Sequence, residues 1–168
     1  RELLSLDALN AAQTVLAANV TTRDFARFGA TRVDADSLVT STNAGAIDFG
    51  VVTSGGVPRD LATNTSGFTT FNADVGTAGA RLGSLRTLGS GDAILRGNTF
   101  TTGTQSFAAN AIFDAGAAQT IDVGDSLFVG GASTLRNDLV VLSNGATFTG
   151  AVDDDAGPAR SLTVTSAL

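Results

Sequence analysis

All ten cations of this 168-residue chain are Arg, and they face fifteen Asp and a single Glu, Glu2, for a formal net charge of −6. That balance excludes non-specific nucleic-acid binding, which needs a basic face. The absence of Cys excludes disulfide staples and thiolate chemistry, and with His, Lys and Tyr also missing the usual catalytic bases and nucleophiles reduce to carboxylates with Ser or Thr.

Apolar residues make up 43% of the chain, enough for a core, but they are mostly Ala, Val, Leu and Ile with ten Phe. Twenty Gly, two Pro and the preference for Asp over Glu point to many turns and few helices. No apolar run reaches the ~18–20 residues that a membrane span requires, so no span is expected. With no Met at any position, the chain is expected to be a piece of a longer protein.

In chain order, Glu2–Leu9 shows weak helical periodicity but reads better as a strand with Leu4, Leu6 and Ala8 on one face. Short strands are then predicted at Thr14–Val20, Ser37–Thr42, Ala46–Thr53, Phe68–Val75, Ala93–Arg96 and Gln105–Phe113. Further ones follow at Gln119–Val123, Ser126–Val129, Asp138–Leu142, Ala146–Val152 and Ser161–Ala167. Gly, Asn and Asp clusters such as Asn43-Ala44-Gly45, Gly89-Ser90-Gly91-Asp92 and Ser143-Asn144-Gly145 separate them.

Two phrases recur. The first is Phe49, Val52, Arg59, Leu61; then Phe71, Val75, Arg81, Leu85; then Phe148, Val152, Arg160, Leu162, in segments 49–61, 71–85 and 148–162. The last two copies align without a gap, with Phe71 on Phe148, Val75 on Val152 and Leu85 on Leu162. These nine Phe, Val and Leu residues are the predicted structural core, with Phe stacked in an interior column. The second phrase matches Gln13, Ala17-Ala18-Asn19-Val20 and Asp36-Ser37-Leu38 to Gln105, Ala108-Ala109-Asn110-Ala111 and Asp125-Ser126-Leu127. Imperfect repeats of this kind mark stacked architectures, in which one unit cannot bury its apolar face alone. The expected fold is therefore all-β, a parallel β-solenoid of roughly seven rungs, each about 20–25 residues. The alternative is a pair of antiparallel β-sandwich repeats of about 80 residues each.

The stretch TTFNADVGTAGARLGSLRTLGSGDAI, followed by TTGTQSFAANAIF, resembles the repeat regions of large bacterial exoproteins, the filamentous-haemagglutinin-like and autotransporter-like adhesins. The resemblance runs over roughly Ala46–Leu168, with a fainter copy at Gln13–Phe49. It implies a right-handed parallel β-helix, export to the cell surface or medium, and a role as stalk, filament, adhesin or matrix component. The first residues, including Arg23, Phe25, Arg27 and Phe28, depart from the pattern. The expectation is one continuous solenoid over 1–168, less regular over 1–45.

No enzyme is expected. No nucleophile elbow occurs, and a carboxylate pair acting on glycosides lacks the aromatic platforms of Tyr or Trp. A polysaccharide-processing or carbohydrate-binding β-helix is the alternative function, and processing would require acids and Arg such as Asp122, Asp125 and Arg136 to converge. No cofactor is expected. The one metal reading is calcium at Asp153, Asp154 and Asp155, placed in a turn, because carboxylate oxygens suit that cation. Asp34 with Asp36, and Asp122 with Asp125, are weaker pairs of the same kind. The plainer reading has all these Asp residues capping turns. Arg59 and Arg160 offer sulfate or acidic-sugar sites, or simply pair with nearby Asp. Expected partners are other copies, joined end to end or side by side through unpaired edges, and a host or cell-surface glycan or protein.

Overall fold

The computed structural model describes residues 2–155 and 157–166. Ala156, Ala167 and Leu168, of which Ala167 ends the predicted strand Ser161–Ala167, lie outside the described residues, as does Arg1.

Turn residues arrive every few positions, so no strand grows long, and the chain winds through three short strands per turn. The first turn holds β1 (Leu6–Ala8), β2 (Thr14–Leu16) and β3 (Val20–Thr22); the second holds β4 (Ala26–Phe28), β5 (Thr31–Val33) and β6 (Ser37–Ser41). The third has β7 (Ile47–Phe49), β8 (Val52–Ser54) and β9 (Leu61–Asn64), and the fourth has only β10 (Thr69–Phe71) and β11 (Leu85–Thr87). The fifth has β12 (Ala93–Leu95), β13 (Thr99–Thr101) and β14 (Gln105–Phe107). The sixth has β15 (Ala111–Phe113), β16 (Gln119–Val123) and β17 (Ser126–Val129). The seventh has β18 (Ser133–Leu135), β19 (Leu139–Leu142) and β20 (Gly145–Phe148), and the eighth ends with β21 (Val152–Asp154) and β22 (Leu162–Thr165).

Like strands of successive turns pair in parallel, which builds three faces. The first face is an eight-stranded sheet from β1 to β21. The third face is a seven-stranded sheet from β3 to β20. The second face is split into β2-β5-β8 and β13-β16-β19-β22, and single bridges from Val75 to Val52 and Thr99 join the two parts. All ladders between named strands are parallel, so the antiparallel sandwich alternative is overturned in favour of a β-solenoid. The turns are unequal in length: on the first face the longest carries the chain from Thr69 to its partner Ala93, and the shortest from Ala93 to Ala111. Eight turns stacked at the strand spacing make a body about 35 Å long.

Six of the strands were not among those predicted: β4, β5, β9, β11, β13 and β18. Each is too short to display a period of two. Conversely, Ala46–Thr53, Gln105–Phe113 and Ala146–Val152 each cross a corner and form parts of two strands. The segment 1–45, expected to be less regular, follows the same winding wherever it is described. Leu6 pairs with Ala26 and Val20 with Val39 in the register that continues along the stack. At the entrance Leu6 and Ala8 face inward, half-buried, while Leu4 is 65% exposed.

The core is a set of columns. The inner position closing each first-face strand runs Ala8, Phe28, Phe49, Phe71, Leu95, Phe113, Leu135 and, in the last strand, Asp154. Phe28, Phe49 and Phe71 stack in sequence, with centroids 4.9 and 5.5 Å apart. Thus Phe28, which departs from the repeat phrase, belongs to the Phe column. Phe148 does not: it lies on the third face over Val129. The gapless match between the second and third copies is therefore not a structural period. The first two copies of the phrase are adjacent turns in true register, with Phe49 on Phe71, Val52 on Val75 and Leu61 on Leu85, all buried. The third copy is displaced by one face. Its Phe148 and Leu162 are half-buried against the core, and Val152 is 39% exposed.

Glycine is required where the chain passes from the third face to the first. Gly45, Gly67 and Gly91 occupy this corner in three consecutive turns. A Cβ on Gly91 would fall inside the Gly67 carbonyl oxygen, and one on Gly67 inside the Ala44 carbonyl. Closely apposed backbone leaves no room for a side chain here.

Candidate functional site

Most of the Asp and Asn side chains at the corners are engaged in holding turns together. Asn19 accepts the Leu38 N–H of the next turn, Asp36 that of Asp60, Asp74 that of Asn98, Asn98 that of Thr120, and Asn110 that of Ala132, at 2.7–3.0 Å. Asp138 accepts the Ser161 N–H at 2.9 Å, and this bond holds its carboxyl below the ordinary range. Each such contact gives a corner N–H the partner that a regular ladder does not supply there. The recurring Asn19 and Asn110 of the second phrase thus do the same work at different corners.

Ion pairs engage Arg27, Arg32, Arg81, Arg96 and Arg136. Arg27 meets Asp48 at 3.4 Å across the first face. Arg32 grips Asp34 with two bonds of 2.8 Å, which lowers the Asp34 pKa. Arg81, leaving the fourth turn, passes over the Phe100 ring and reaches Asp122 in the sixth with bonds of 2.8 and 2.6 Å. Asp114 takes Arg96 at 3.5 Å and Arg136 at 3.3 Å, and Arg136 also meets Asp155 at 2.9 Å.

These pairings decide the sequence-derived sites. Asp153, Asp154 and Asp155 do not form a turn: the first two end strand β21, where alternation sends neighbouring side chains to opposite sides. Asp155 is bound to Arg136, and Asp153 accepts the N–H of Asp154. No group of three carboxylates that could hold a metal ion occurs among the described residues. Asp122 and Arg136 do not converge either. Asp122 is on the second face under Arg81, while Arg136 follows the first face and pairs with other acids. Arg59 makes no ion pair with Asp60; it lies close enough to Asp34 to help lower its pKa.

A buried polar stripe was not anticipated. Gln105 and Gln119 have no exposure. Gln105 accepts from Thr99 at 2.7 Å and donates to Thr101 at 3.3 Å. Gln119 donates to the carbonyls of Gly97 at 2.6 Å and Leu95 at 3.2 Å, and accepts from Asn137 at 3.4 Å. These bonds replace those the amides lose to water, so the stripe stabilises the interior without offering chemistry to a ligand.

A concavity on the surface was also missed. It is an open groove of about 290 Å³ on the outer side of the third face, lined by Arg86, Leu88, Thr104, Gln105, Ser106, Ser126 and Phe128. Register creates it: Arg86, Ser106 and Phe128 are stacked partners in the fourth, fifth and sixth turns. The short Ser106 leaves a notch between a guanidinium and a phenyl ring. Nothing in the linear sequence marks this, because a full turn of chain separates each of the three from the next.

No family model matches the chain, and no curated protein or solved structure is similar to it above the level of chance.

Proposed function

We propose that the chain is a non-catalytic structural segment of a secreted or cell-surface bacterial protein, acting as stalk, filament or matrix element and presenting an adhesive surface. The observation that carries this reading is the interior: buried columns of Phe, Leu, Ile, Val and Thr run from turn to turn, and corner carboxylates are spent on the stack. Such a body gains length by adding turns, each held to its neighbours by the same ladder. The likeness of its phrases to exoprotein repeats supports the surface location. No helix among the described residues is long and apolar enough to cross a membrane.

Self-association of copies, end to end or side by side, is part of the same reading. An antibody raised against the chain should stain intact cells of its source, and protease added to intact cells should release its fragments. Staining that appears only after permeabilisation would remove the surface assignment.

A further inference from the structure

The three faces differ in charge. First-face strands carry Asp7, Asp48, Asp153 and Asp154 against Arg27, and the second face carries Asp122 against Arg32. Among the described residues, the strands of the third face carry no acid at all. Their single charge is Arg86. In a chain of net charge −6 these strands have one cation at their centre, while Asp36, Asp60 and Asp125 stand at the corners that lead into three of them.

Arg86 also differs from the Arg residues that face acids. Its stacked neighbours are Ala62 and Ser106, and it makes no ion pair among the described residues. A guanidinium left without a carboxylate can accept one in a two-bond fork. Two turns further on, about 10 Å along the stack, Phe128 is 40% exposed. Its ring leans over Gly130, where a Cβ would come within 3.2 Å of Cε1. Leu88, 50% exposed, forms the apolar side wall. Thr104, Ser106 and Ser126 also line the groove.

We propose that this groove binds a carboxylate-bearing sugar, with the pyranose ring against Phe128 and Leu88, its hydroxyls on Ser106 and its neighbours, and its carboxylate on Arg86. An apolar wall with a few convergent polar groups is the general form of a small-molecule site. The volume, about 290 Å³, is at the small end of such sites and suits a single ring. An acidic peptide would use the cation but leave the hydroxyl floor and the exposed ring unmatched. The proposal stands independently of the stalk reading, since the groove is complete within three turns.

The test is calorimetric titration of the full chain with uronate hexasaccharides, one from hyaluronan and one of galacturonate, each beside its carboxyl-reduced counterpart and a hexaglutamate peptide. Binding of at least one uronate is expected by about 5 mM, with the reduced sugar at least about tenfold weaker, as loss of one charged hydrogen-bonding group implies. Arg86→Gln should weaken binding at least about tenfold and Phe128→Ala severalfold. Arg23→Gln, the same charge change at an exposed corner, should leave it unchanged. Circular dichroism of each variant separates lost binding from lost fold. The proposal fails if neither uronate binds, if the peptide binds as well as the sugars, or if Arg23→Gln and Arg86→Gln weaken binding equally.

Discussion

Phe28 and Phe49 lie ring over ring, 4.9 Å between centroids and 11° from parallel, although a full turn of chain separates them. The distance is that of neighbouring strands, so the backbone ladder itself sets the aromatic stack. Phe49 is in the middle of the triplet, with Phe71 on its other side at 5.5 Å. Truncation to Ala should cost about 3 to 5 kcal/mol in a denaturant titration, since the ladder prevents the turns above and below from collapsing into the gap. Phe49→Leu should cost clearly less, because Leu95 already occupies the same column.

Arg81 and Asp122 tie the fourth turn to the sixth across an intervening strand, and both side chains are largely covered, at 26% and 19% exposure. A two-bond pair in that setting should exceed the usual surface ion pair. A double-mutant cycle with Arg81→Ala and Asp122→Ala should return a coupling of about 1 to 2 kcal/mol. Coupling close to zero would mean that the irregular 76–82 segment is held by its backbone bonds, from Gly76 to Val52 and between Leu82 and the neighbouring turn, and by burial of Leu82.

Gly91 and Gly79 should respond to the same substitution in opposite ways. Gly91→Ala places a methyl group against the Gly67 carbonyl and should destabilise by about 3 kcal/mol or more, because the backbone at Ser66 and Gly67 must move. Gly79 has open space around its absent Cβ and no left-handed backbone, so Gly79→Ala should be neutral or stabilising by up to about 1 kcal/mol. Thermal melts of the two variants make the comparison.

Asp138 gives the pH dependence a defined origin. The Ser161 N–H, and then the Ser161 side chain, hold its carboxyl below the ordinary value of 3.8. A carboxyl depressed on folding stabilises the fold fully above its unfolded value, and the contribution is lost as pH falls through the folded value. Asp138→Ala should therefore lower the melting temperature at pH 7. The gap from the parent chain should close as the pH falls below 3.8. Asp138→Asn keeps an acceptor for Ser161 and should fall between the two. A gap that is constant down to acid pH would assign the loss to packing instead.

The sequence alone determined the class of structure. Dense Gly, Asn and Asp forbid long elements, Val, Thr and Phe favour strands, and imperfect repetition calls for units that cover one another. The adjacent copies at Phe49 and Phe71 even reveal one true turn, because that pair preserves both residue type and spacing. The third copy misled for a physical reason. In a three-faced coil whose turns differ in length, similar phrases serve any face, so likeness of phrase does not fix the register. Only the tertiary structure decided that Phe28 joins the column, that Phe148 does not, and that Asp153 to Asp155 are partly strand. It also decided that Arg86 meets Ser106 and Phe128. Those relationships are set by which residues lie one strand spacing apart across turns of unequal length, a property of the whole winding and not of any segment.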